Sequence, residues 1–275
     1  MPIVVAHVIV GYLVATTGAA IYLHAQTHSI NATQAFLAFF CSLNALICFW
    51  ELALAYRIDV IKRLAGELRK GTKDSQSDRF RVVGRFFLLP CPVRQWFSLT
   101  FWARVWWTYA LYDPSYADRT TFGFWIDVSN GHVTLLPTLL CLVGMTYDLM
   151  DARTFGIINL LAFYQEFVGT VIYFCTYFFN GRHAGKSALE VGVFVGLTNG
   201  LWFAGPLVGI WAAKAFLNVW RCATGVWRRC GAMRARASVI RLCQSIARPS
   251  LSFLDPSKPI PVKARTQARI ARDER

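Results

Sequence analysis

Apolar residues run almost unbroken through residues 3 to 24, 34 to 56, 155 to 179 and 190 to 213, with few charges inside each run. A helix rising 1.5 Å per residue needs about 20 such residues to cross a hydrocarbon core of ~30 Å. These four runs predict transmembrane helices. A fifth, 128 to 147, is nearly as apolar but contains Pro137, which a helix bundle tolerates where neighbours satisfy the freed carbonyl. No basic residue precedes the first run, so it reads as a retained anchor rather than a cleaved signal. The pattern predicts an all-α, polytopic membrane helix bundle. Composition agrees, since 55% apolar residues, 15% aromatics and a mean hydropathy of +0.39 over 275 residues cannot be hidden in one soluble core.

One segment resists this reading. Residues 97 to 112 are rich in apolar side chains, yet they reach only about 24 Å as helix, carry Arg104 near the middle and belong to a stretch with four tryptophans. Those features predict a helix lying along the membrane. The chain then divides into a first span and short loop (1–33), a membrane domain (34–213) with a basic loop at 57–96, and a basic tail (214–275). Five spans are expected, or six if the Trp-rich helix crosses.

Charge sharpens that choice. Of 29 Lys and Arg, 10 lie between Arg57 and Arg94 and 14 between Lys214 and Arg275, so the formal charge of +14 resides in two segments. Neither interleaves aromatic and basic residues as a nucleic-acid module does, and juxtamembrane basic residues orient spans and touch anionic lipid headgroups. The positive-inside rule asks for both segments on one side, which six spans satisfy and five do not. The tail predicts a helical start followed by disorder, given Pro249, Pro256, Pro259 and Pro261. Asn31-Ala32-Thr33 is a formal glycosylation acceptor in a loop too short to present it clear of a membrane.

The eight cysteines form no CxxC pair and have no histidine at metal spacing. Cys41, Cys48, Cys141 and Cys175 fall in apolar runs, and Cys222, Cys230 and Cys243 in the tail, as packing residues or palmitoylation sites. The five histidines are scattered, and none is assigned a metal.

Candidate chemistry lies in the polar residues that interrupt the apolar runs. Asn199 and Trp202, three apart in Thr198-Asn199-Gly200-Leu201-Trp202, share a helix face where lipid would otherwise surround them. Such a pair serves either an interhelical hydrogen bond or a ligand pocket. Glu51, Asp127 and Glu166 are acids within or at the ends of apolar runs, and Arg104 is the only Lys or Arg expected at membrane depth. Some of the three are therefore protonated or hydrogen-bonded, and a neutral acid beside an ionised one can pass protons. The structural alternative is Glu166 bonded to Thr170 one turn away, and Asp127 capping its helix with Asn130 and Gly131 nearby.

Several spacings resemble a known family. Trp106, Tyr109, Asp113 and Tyr116 form WxxYxxxDxxY, with Asp127 eleven residues beyond the last tyrosine. Tyr173-Phe174-x-Thr176 followed by Gly181, and Asn199-Gly200-Leu201-Trp202 with Pro206, complete the pattern, and Glu51 falls at a span-two acid position. Together, from about Glu51 to Trp211, these resemble the emopamil-binding-protein family of sterol Δ8-Δ7 isomerases of the endoplasmic reticulum, within the EXPERA superfamily. The chain departs from that family in Ile47 at its histidine position, in Asp127 for glutamate, in Asn130 for threonine, and in the inserted segment 57–94.

The resemblance implies an isomerase that protonates a sterol double bond and removes a proton elsewhere, through a carbocation and without metal or redox cofactor. Glu51 and Asp127 would be the proton-handling pair. Trp106, Tyr109, Asn130, Glu166, Thr170, Asn199 and Trp202 would line the ligand, with the rings stabilising the cation by ~0.5–2 kcal/mol each. Five spans would place Glu51 and Asp127 in one leaflet, whereas six would separate them. Two other readings stand beside it: a non-catalytic sterol- or lipid-binding protein, and an ion- or proton-coupled transporter with Glu166 in the path, against which the lack of a clear inverted repeat or paired broken helices counts.

Overall fold

The structure is a computed structural model that describes residues 2–71, 75–147 and 149–229, with side chains described as far as residue 217. All of these residues belong to one compact unit, Met1–Ala235. The expectations for Cys230, Cys243 and the proline-containing tail lie outside the described residues, as does the side chain of Cys222.

Eight helices carry the fold: α1 (Val5–Thr27), α2 (Ala32–Tyr56), α3 (Ile58–Gly71), α4 (Gln76–Phe87), α5 (Leu99–Tyr109), α6 (Phe122–Gly144), α7 (Ala152–Phe179) and α8 (Ala188–Leu217, its backbone continuing to Arg229). Five of them, α1, α2, α6, α7 and α8, are long and apolar enough to cross a membrane, and the protein is an integral membrane protein with an all-α bundle. Among the described residues no strand forms. A single β-bridge joins Val4 to Pro90, with Val5 N donating to Leu89 O at 3.0 Å and Cys91 N to Ile3 O at 2.8 Å.

Helix ends follow the sequence. Asn31 caps α2 through Gln34 N, Thr121 caps α6 through Phe124 N, and Asp151 caps α7 through Arg153 N and Thr154 N. Ser187 and Glu190 form a reciprocal capping box at the start of α8. The asparagine of the formal glycosylation acceptor is thus committed to capping α2.

Helix α2 is the hub: 72% of its most apolar window is buried, against 6% for α1, which packs on one side of the bundle. Helices α7 and α8 form the most extensive helix pair. Gly205 and Gly209 on α8 let the rings of Phe40 and Phe163 come close enough that a Cβ at either glycine would sit 2.3 Å from a ring carbon.

The basic segment carries the two helices α3 and α4. Helix α3 sets Ile58, Ile61 and Ala65 on one buried face and its charges outward. Arg79 on α4 is buried and forms a two-pronged ion pair with Glu190 of α8, Nε to Oε1 at 2.6 Å and Nη2 to Oε2 at 2.9 Å.

The Trp-rich helix is short and packs against the bundle. With eleven residues α5 rises about 16 Å, too little to cross a ~30 Å core. Its Phe101, Trp102, Ala103 and Trp106 are buried against α2 and α3, and Trp102 stacks on Trp50 at 5.4 Å. Arg104 turns away from that face, its guanidinium over the rings of Phe101 and Trp107 at 5.2 and 5.6 Å.

Candidate functional site

A cavity of about 290 Å³ opens between α2, α4, α5, α6, α7 and α8. Glu51, Trp106, Tyr109, Asp127, Asn130, Glu166, Thr170, Asn199 and Trp202 all line it. Every candidate residue named from the sequence therefore faces one space. Five crossings bring this about, because the end of α2 and the start of α6 then lie at the same level.

Glu51 sits in the last turns of α2, 2% exposed. Asn130 Nδ2 donates to both of its carboxyl oxygens, at 3.0 and 2.9 Å. That reach depends on a local irregularity: α6 adopts a π-helical turn over Asn130–Thr134. Pro137 follows within a turn, and its missing N–H removes one helical hydrogen bond, so a shift in hydrogen-bond register there is a natural accommodation. Gly131 in the same turn approaches α2 so closely that a Cβ would lie 2.7 Å from Glu51 Cβ and 3.0 Å from Cys48 O. Cys48 Sγ donates to Asn130 O at 3.8 Å, a further tie between the two helices.

Asp127 lies in the second turn of α6 and does not cap it, since Thr121 does. It lines the cavity beside the Tyr116 hydroxyl. Tyr116 belongs to an aromatic wall: its ring centroid lies 5.1 Å from Trp106, 5.0 Å from Tyr109 and 6.2 Å from Tyr173. Trp106 is fixed by its indole N–H, which donates to Trp50 O at 2.6 Å. Asn199 Nδ2 donates to Tyr109 OH at 2.7 Å, so the Asn–Trp pair of α8 reaches the aromatic wall through its amide.

Trp202 reaches a second polar cluster. Its Nε1 donates to Asn44 Oδ1 at 3.0 Å, and Asn44 Nδ2 donates to Glu166 Oε1 at 2.6 Å and to Thr138 Oγ1 at 2.9 Å. The partner of the Glu166 carboxyl is thus Asn44. Thr170, the alternative expected from helical spacing, donates instead to the Glu166 backbone carbonyl at 2.8 Å.

Asn44, Tyr116, Tyr173 and Gln165 are the residues that sequence reasoning left without a site role. Asn44 carried a readable signal, an amide inside the apolar run Leu43-Asn44-Ala45-Leu46, subject to the same cost that singled out Asn199. Tyr116 and Tyr173 stood within the quoted motifs. Gln165 accepts from Thr134 Oγ1 at 2.9 Å and had no signal beyond its polarity.

Among the described residues, no Lys, Arg or His lines the cavity. Three carboxyl groups, seven tryptophan and tyrosine rings, a few amides and hydroxyls and a mostly apolar remainder line it. Such a space can hold an apolar molecule, exchange protons with it and stabilise positive charge on it. Ile47 lines the same wall one turn before Glu51, so the position that carries histidine in the family resembled is apolar here. No family model, no curated protein and no solved structure matches this chain.

Proposed function

We propose that this protein handles a sterol or closely similar apolar lipid in the membrane of the endoplasmic reticulum, as a relative of the emopamil-binding proteins within the EXPERA superfamily. The activity that fits is double-bond isomerisation. One of the Glu51 and Asp127 carboxyl groups delivers a proton to the ring double bond, and the other removes a proton from a neighbouring ring carbon. The double bond migrates and the protons balance. Between the two steps the positive charge on the ring lies against Trp106, Tyr109, Tyr116 and Tyr173.

The observation that carries this reading is the joint position of Glu51 and Asp127 on one apolar, ring-lined cavity. The donor pair from Asn130 also supports it, because it gives Glu51 the polar partner that Ile47 does not. In isomerase-deficient cells, expression of this chain should convert Δ8 to Δ7 sterols. Glu51→Gln and Asp127→Asn, at equal membrane levels, should each reduce conversion by about 10² or more, the usual contribution of a positioned acid or base. Conversion unchanged in both variants contradicts the assignment.

One feature favours a second reading. Ile47 makes the wall beside Glu51 apolar, which suits a protein that binds the sterol and leaves its double bond in place. Saturable binding of a Δ8 sterol, recovered unchanged by wild-type protein, would select that reading.

A further inference from the structure

The carboxyl groups on this cavity differ in how completely they are paired. Both oxygens of Glu51 accept from Asn130. Glu166, midway along α7 and 5% exposed, has only its Oε1 paired, by Asn44. Glu166 Oε2 is buried and meets no hydrogen-bond partner among the described residues.

None of its polar neighbours completes it. Asn44 spends its Nδ2 on Glu166 Oε1 and Thr138, and its Oδ1 on Trp202. The Thr170 hydroxyl is turned to the backbone of its own helix. Gln165 accepts from Thr134 through its carbonyl oxygen and makes no bond to Glu166 Oε2. A carboxyl oxygen left bare in an apolar interior is costly, and such orphans mark a place where a further group belongs. The network also fixes where Oε2 points, because Asn44 is itself clamped by helices α6 and α8 through Thr138 and Trp202.

We propose that Glu166 Oε2 is the anchor for a hydroxyl group on the ligand of this cavity, with Asn44, Thr138 and Trp202 holding the carboxyl in place. A hydroxyl both donates and accepts, so it pairs with the carboxylate or with the neutral acid. The remaining lining is mostly apolar and aromatic, which matches a molecule with one polar end on a rigid hydrocarbon body. This inference rests on the reading above that the cavity takes a sterol, and it separates the acid that seats the ligand from the pair that would act on it. Glu166 is here a binding residue.

The test compares cholest-8-en-3β-ol with its 3-deoxy analogue for binding to the purified full chain in detergent. Wild-type protein should bind the hydroxylated sterol about tenfold more tightly or better, as expected for a hydrogen bond to an ionisable group. Glu166→Leu should bring the two affinities together, and Glu166→Gln, which keeps a carbonyl and an N–H, should retain the preference. Equal preference in wild type and Glu166→Leu overturns the anchor while leaving the sterol reading intact. Binding of neither sterol by folded wild-type protein overturns both. A measurement free of variants stands behind these, in case Glu166→Leu does not fold. A sterol with a photoreactive diazirine on ring A, cross-linked to wild-type protein and mapped to single residues by fragment sequencing, should label Glu166 or its neighbours on α7. Labelling confined to the neighbourhood of Glu51 and Asn130 overturns the proposal.

Discussion

At the scale of single residues, the contact between Asn130 and Glu51 decides how two spans meet. A buried carboxyl group stripped of its donors is left with its full desolvation cost, so Asn130→Leu should destabilise the protein by about 1–3 kcal/mol. Thermal unfolding in detergent, compared with Glu51→Gln, measures it. Gly131→Ala inserts a methyl group where Glu51 Cβ and Cys48 O already stand, and overpacking of this kind costs about 1–3 kcal/mol. Its melting temperature should fall, whereas an alanine at the open Gly11, where no atom lies within 4 Å, should change little. Glu51, Asp127, Asn199 and Trp202 were legible in the sequence because charge, amide or indole inside an apolar run demands an explanation. Pairings were not. The helical rule joins Glu166 to Thr170, but the carboxyl crosses to Asn44 on another helix, and only the packing of α2 against α6, α7 and α8 determines that.

At the scale of elements, α4 forms one wall of the cavity through Val83, Phe86 and Phe87, and a buried ion pair ties it to α8. Arg79 and Glu190 are both buried, and Phe80 packs edge-on to Phe194 at 5.0 Å beside them. Removing one charge leaves the other without its counter-ion, so Arg79→Met should cost about 3–5 kcal/mol. The double variant Arg79→Met with Glu190→Met should recover most of that loss in the same unfolding assay, because two apolar side chains of similar length replace the pair. A double variant as unstable as the single one would mean that the pair itself is not what holds α4. The spans were legible from length and hydropathy alone. Helices α3 and α4 were hidden by their charge density, although the spacing of Ile58, Ile61 and Ala65 carries the apolar face of α3. The π-helical turn of α6 left no mark in the sequence beyond Pro137 downstream, since many sequences accommodate a proline without it.

At the scale of the whole molecule, the count of crossings fixes where the site is. The short α5 packs within the protein, so residues on either side of it belong to one face of the membrane. Cysteines placed at the exposed Ser77 and Thr120, in an otherwise cysteine-free background, should react with an impermeant maleimide from the same side. Reaction from opposite sides would establish a sixth crossing and separate Glu51 from Asp127. The positive-inside rule pointed toward six because it counts charges and ignores burial. In this bundle part of the charge between residues 57 and 94 is consumed internally, as at Arg79. The central claim is that one cavity, built by α2, α4, α5, α6, α7 and α8, receives a sterol. Equilibrium binding of tritiated cholest-8-en-3β-ol to the purified chain tests it most directly, alongside Ile47→Trp, which places an indole in the cavity. Saturable binding at one sterol per chain, lost in Ile47→Trp while the protein remains folded, is the predicted result. Absence of saturable binding by folded wild-type protein, or binding indifferent to the added indole, would contradict it.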